Sequence, residues 1–178
     1  MRKTLGGSIL FIVVFLGISS IPYGSSGSGL SGASITIRAT VLPYISVSAP
    51  EDIRIWEFQP SEPGIYSKNG IINVTANTNW KVTVKNADDV EDGHMTEWTG
   101  TGYASRKLQA PLNVSAGHEV TLPEGGTIQT GTTAGEHDIE VTLTQVVSQD
   151  DLPLEDGHVY RIALSFEGSP AVNTMNPA

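Results

Sequence analysis

Two stretches of the chain repeat the same four residues, Glu91-Asp92-Gly93-His94 and Glu155-Asp156-Gly157-His158. A carboxylate pair followed by an imidazole can ligate a divalent cation if the fold brings both copies together. The plain alternative is structural. Asp-Gly is a turn signal whose glycine accepts positive φ, and the histidine then enters the next segment. A calcium loop starting at Asp88 would set Asp92 and Gly93 at its fifth and sixth positions. It fails at the third and twelfth, where Val90 and Thr99 stand in place of the required ligands. A looser calcium site from Asp88, Asp92 and Asp150 or Asp151 is the remaining cofactor candidate, with a solvated acidic loop as the default. His94, His118, His137 and His158 show no zinc-like spacing.

Other chemistry is sparse. The chain has no cysteine, which excludes a disulfide framework, a thiolate-held metal and a cysteine nucleophile. No G-x-S-x-G motif occurs, and the 19 acids nominate no glycosidase pair. The expectation is a protein that is not an enzyme. Two sequons, Asn73-Val74-Thr75 and Asn113-Val114-Ser115, are glycosylation candidates. Trp98 and Tyr103, with Tyr66, form a candidate platform on which sugar rings could stack.

These residues must be positioned by strands. Ile35, Ile37, Ala39 and Val41 alternate with Thr36, Arg38 and Thr40, a period of two rich in β-branched residues. Further strands are expected over residues 45–47, 53–58, 70–75, 80–84, 108–114, 119–122, 138–147 and 159–166. Turn signals at Asn69-Gly70, Asp92-Gly93, Glu124-Gly125-Gly126 and Asp156-Gly157 separate them. No long amphipathic helix is expected. About seven to nine short strands point to an all-β, antiparallel, Ig-like β-sandwich. Trp56 and Trp80 are expected core anchors, the last strand is expected to bulge or to be buried on both faces, and residues 86–106 read as a long loop.

The N-terminus has the layout of a secretory signal peptide: Arg2 and Lys3, an apolar stretch over residues 9–18, then small and helix-breaking residues. The apolar core of about ten residues is shorter than the ~20 that span a bilayer, so membrane contact is expected only through an uncleaved leader. We read residues 1–24 as the leader with cleavage between 19 and 34, residues 25–34 as a Gly/Ser linker, 35–168 as the sandwich and 169–178 as a flexible tail. A pilin-type leader cut at Gly6-Gly7 would need a longer apolar helix than Pro22, Gly24, Gly27 and Gly29 allow. Without the leader the chain keeps eight basic and nineteen acidic residues, a net charge of −11. Such a surface repels phosphate backbones, so no nucleic-acid partner is expected.

The stretch from Gly70 to Val84, with Trp80 opening a strand after the polar turn Asn77-Thr78-Asn79, resembles a strand–turn–strand of secreted prokaryotic surface sandwiches. Residues 108–114 and 160–166 look similar to later strands of the same kind of domain. Over residues 35–168 the chain resembles TasA/camelysin-like biofilm fibre subunits, including archaeal bundling-pilus subunits, and WxL-type cell-surface domains. The Trp-x-Leu signature is absent, since Trp56, Trp80 and Trp98 are followed by Glu-Phe, Lys-Val and Thr-Gly, and peptidoglycan attachment is not carried over. The fibre resemblance implies a secreted, extracellular, cell-surface or matrix protein of biofilms that self-associates or meets other surface proteins. It also implies a donor strand at Ile35, Ile37, Ala39 and Val41 that completes a neighbouring copy. The competing expectation is a monomeric adhesion or carbohydrate-binding module.

Overall fold

The computed structural model describes residues 36–87, 92–151 and 153–171. The leader, the Gly/Ser linker, Ile35, Asp88 and most of the tail lie outside the described residues. Eleven strands and one helical turn follow in order: β1 (Ile45–Ser48), α1 (Glu51–Arg54), β2 (Ile55–Phe58), β3 (Gly64–Ala76), β4 (Trp80–Asn86), β5 (Thr96–Trp98), β6 (Tyr103–Lys107), β7 (Asn113–Ser115), β8 (Glu119–Thr121), β9 (Gly126–Gly131), β10 (Gly135–Val147) and β11 (Val159–Pro170). They form an antiparallel β-sandwich. One sheet has the order β1-β3-β10-β7-β8, and the other β6-β5-β11-β4-β9 with β2 also paired to β11.

The spine of the first sheet is the ladder between β3 and β10, in register from Ala76 opposite Gly135 to Gly64 opposite Val147. Period-two patterning builds it. Ile72 and Val74 from β3, and Ile139, Val141 and Leu143 from β10, point inward and are buried. Trp80, Val82 and Val84 from β4, with Ile128, Tyr160, Ile162 and Leu164, supply the opposing layer. Trp56 and Trp80 are both buried, as expected. In β11 the consecutive residues Ile162, Ala163 and Leu164 are all buried, at the point where its register passes from β2 at Ala163 to β4 at Leu164.

Several expectations require correction. Asn69-Gly70 is not a turn. It lies inside β3, opposite Thr142 and Val141, and the glycine is needed because a Cβ at position 70 would run into the Ile53 side chain. Residues 53–54 belong to the turn α1, whose Ile53 and Arg54 amides donate to the Pro50 carbonyl. Of the expected 108–114 strand only residues 113 and 114 are strand, as the start of β7. Leu108 and Leu112 are buried but donate to the carbonyls of Met95 and Gly93, and Pro111 has no N–H to give a ladder. The long loop over 86–106 contains β5 and most of β6. β9 was not expected, because Gly126, Gly131 and three polar residues hide its single buried side chain, Ile128.

Candidate functional site

Residues 36–44 lie outside any strand. The strand expected over residues 35–41 is therefore not formed at residues 36–41, whereas the one expected at 45–47 is present as β1, and Ile37 and Val41 are 79 % and 83 % exposed. Alternation fixes which way side chains face once a ladder exists, but the ladder itself needs a neighbouring strand. In this chain β1 is the element beside β3, pairing Ile45 to Ser48 with Ala76 to Asn73.

The second constellation sits where β5, β6 and β11 meet. Glu97 of β5 is opposite Tyr160 of β11, so strand alternation turns its carboxylate inward, and its side chain is 7 % exposed. His158 Nδ1 lies 2.7 Å from Glu97 Oε1, and Arg106 Nε lies 4.0 Å from Oε2. Arg106 also donates from Nη1 to the Pro153 carbonyl at 3.1 Å. Tyr160 beneath them has its hydroxyl pKa raised, first by burial and then by the charges of Asp151 and Glu97. On the opposite face of these strands, the Arg161 guanidinium lies 4.1 Å from the centre of the Trp98 ring, which meets Tyr103 edge-on at 5.0 Å. One face of the expected sugar platform is therefore covered by Arg161, and Tyr66 lies elsewhere, packed 5.1 Å from Phe58.

Asp92-Gly93 and Asp156-Gly157 are turns. Gly93 and Gly157 have φ of 84° and 83°, His94 Nδ1 is 2.7 Å from the Leu108 carbonyl, and His158 serves Glu97. Two of the calcium candidates, Asp92 and Asp151, hold other partners. Asp92 accepts from Lys107 Nζ at 2.6 Å, which holds its carboxyl below the usual aspartate value. Asp151 accepts from the amides of Gln109 and Ser148 at 2.9 and 2.7 Å, and Asp150 is exposed. Among the described residues no cluster of three or more His, Asp or Glu is placed to hold a metal ion. Of the sequons, Asn73 is exposed on β3 and donates to Asp138 at 2.6 Å, while Asn113 is half-buried and accepts from Thr121 at 2.7 Å.

No family model, curated protein or solved structure matches this chain. Among the described residues no helix is long and apolar enough to cross a membrane. Glu97 and Arg106 were missed by sequence reasoning, and His158 was singled out only through the Glu-Asp-Gly-His repeat and not as the partner of a buried acid. Glu97 belongs to a three-residue strand too short for a period to be read, and its imidazole partner comes from 61 residues away. The single available signal was an acid directly before a tryptophan in a segment that read as loop.

Proposed function

We propose that this protein is an exported cell-surface or extracellular-matrix structural protein, without catalysis, whose copies join into filaments by donating the segment around Ile35, Ile37, Ala39 and Val41. The observation that carries this reading is the state of residues 36–42. An alternating, β-branched segment lies outside any strand with Ile37 and Val41 open to solvent, and such a segment is suited to complete another sheet. Charge supports the same reading. In the exported chain the donor segment carries Arg38 and no acid, while residues 43–178 hold seven basic and nineteen acidic residues, a net −12. A head-to-tail contact of this kind does not close on itself and gives an open filament.

The test is size-exclusion chromatography and negative-stain microscopy of the exported chain at high concentration, beside a variant lacking residues 35–41. Filaments in the first and monomers with an unchanged circular dichroism spectrum in the second are expected. Monomers alone in both would sink the proposal. Glycan retention that is lost in Trp98→Ala, without any filament, would favour the adhesion reading instead.

A further inference from the structure

Strand alternation decides which residues of the two sequons face outward. β3 and β7 each turn the middle valine of a sequon into the core, where Val74 and Val114 are fully buried. Asn73 and Thr75, and likewise Asn113 and Ser115, therefore point away from the core. A slip of one residue in either ladder would reverse this and bury the asparagines. Asn73 is opposite Asp138 and Asn113 is opposite Thr144, six positions further along β10. Asp138 and Thr144 share a face of β10, so both sequons lie on the outward face of the first sheet, with their amides about 20 Å apart along the strands. Every residue directly across from them is short: Ser48 and Asp138 beside Asn73, Thr144 and Thr121 beside Asn113. The large apolar side chains that the strands leave exposed, Ile65, Ile71 and Val146, are on this face too. Ile71 lies two positions before Asn73, and Val146 lies two positions beyond Thr144, diagonal to Asn113.

We infer that Asn73 and Asn113 both carry N-linked glycans, which blanket the outward face of the first sheet. The inference rests on the export part of the reading above, since such acceptors are modified in exported chains. The co-reactant is a glycan joined through phosphate to a lipid carrier. In the transfer, Nδ2 of the asparagine bonds to the anomeric carbon of the first sugar and gives up one hydrogen as a proton. The bond from that carbon to the phosphate oxygen breaks, and the lipid phosphate leaves with the electron pair. Each linkage is compatible with the contacts already made. A glycosylated Nδ2 keeps one N–H, so Asn73 retains a donor for Asp138, 2.6 Å away. Asn113 is held through Oδ1, which accepts from Thr121 at 2.7 Å and takes no part in the linkage. The C–H faces of the sugars nearest the chain cover Ile71 and Val146 and withdraw them from water. Two bulky, solubilising branches also keep this face out of contacts between copies, which leaves the sheet edges and the second sheet for assembly.

The chain purified from the organism that makes it is weighed intact, and its peptides are sequenced by mass spectrometry. Glycan on both Asn73 and Asn113 is expected. Asn73→Gln and Thr75→Ala should each remove the first glycan and keep the second, and Asn113→Gln and Ser115→Ala the reverse. Thr75→Ser should keep both, because the hydroxyl is what the sequon requires. The double variant Asn73→Gln with Asn113→Gln should retain the parent's circular dichroism spectrum and bind several-fold more of a dye for exposed apolar surface. Unchanged dye binding overturns the cover over Ile71 and Val146. A chain outside the cells with glycan at neither position, or at only one, overturns the inference and leaves the export reading standing. A bare chain found only inside the cells overturns both.

Discussion

Replacing His158 by alanine should strip the buried Glu97 carboxylate of its nearest partner, and the cost can be worked from the geometry. The side chain of Glu97 is almost wholly withdrawn from water, and it keeps only the Arg106 Nε at 4.0 Å once the 2.7 Å contact to His158 is gone. A hydrogen bond to a charged group contributes about 1.5–3 kcal/mol, and breaking a buried pair by removing one partner costs about 3–5 kcal/mol. His158 is itself partly exposed and Arg106 remains, so the cost falls in the hydrogen-bond range and short of the buried-pair one, about 2–3 kcal/mol. For a folded body of this size that lowers Tm by about 8–10 °C. Urea unfolding at neutral pH, followed by tryptophan fluorescence and by circular dichroism, measures it. Trp98 adjoins Glu97 while Trp80 sits in the core, so coincident transitions would show that the whole sandwich responds. Glu97→Gln, which keeps the shape and removes the charge, should cost less. The control is the exposed pair Lys85–Glu167, 2.5 Å apart with both side chains more than half exposed, where Lys85→Met should cost at most about 1 kcal/mol. If His158→Ala costs no more than that control, Glu97 is not held in a water-poor site and the reasoning fails.

Further outcomes follow from close packing and charge. Gly168→Ala should destabilise by about 1–3 kcal/mol, because its Cβ would lie 2.6 Å from Ile45 Cγ2 and 2.7 Å from Val47 Cγ2 across the sandwich. Gly102→Ala, with nothing within 4 Å of the new Cβ, should stay within about 0.5 kcal/mol in the same denaturant titration. Asp92 has its carboxyl pKa lowered by the hydrogen bond from Lys107. Its small stabilisation is therefore present above the ordinary aspartate value, about 3.9, and disappears as pH falls through the lower folded value. Lys107→Met should be less stable than the parent chain near neutral pH, and the two melting curves should converge on acidification. A gap that persists in acid would show that Lys107 acts through packing of its stem.

Much of the sandwich was legible because the facing of side chains and the sign of φ are local properties. The alternation over residues 138–147 places Ile139, Val141 and Leu143 on one face wherever the strand pairs, and their burial follows. Asp92-Gly93 and Asp156-Gly157 turn where the sequence says they should, with glycines at positive φ. The same rule misled at Asn69-Gly70. There the glycine answers to Ile53, seventeen positions away, and the local pair carries no trace of that neighbour. Residues 108–112 are apolar enough for a strand, yet their backbone bonds run to Gly93 and Met95.

The candidate sites divide in the same way. The alternation of Ile37, Ala39 and Val41, the charge contrast between the first 42 residues and the rest, and the absence of cysteine are all written in the chain. That residues 36–42 stay outside the strands while β1 takes a place beside β3, that β1 pairs only with Asn73 to Ala76, and that Glu97 is buried against His158 depend on the tertiary structure. Alternation and turn signals repeat over two to four residues, so a linear reading reaches them. Which strand lies beside which is settled between residues tens of positions apart, by the layer that buries the most apolar surface and leaves the fewest polar groups without partners.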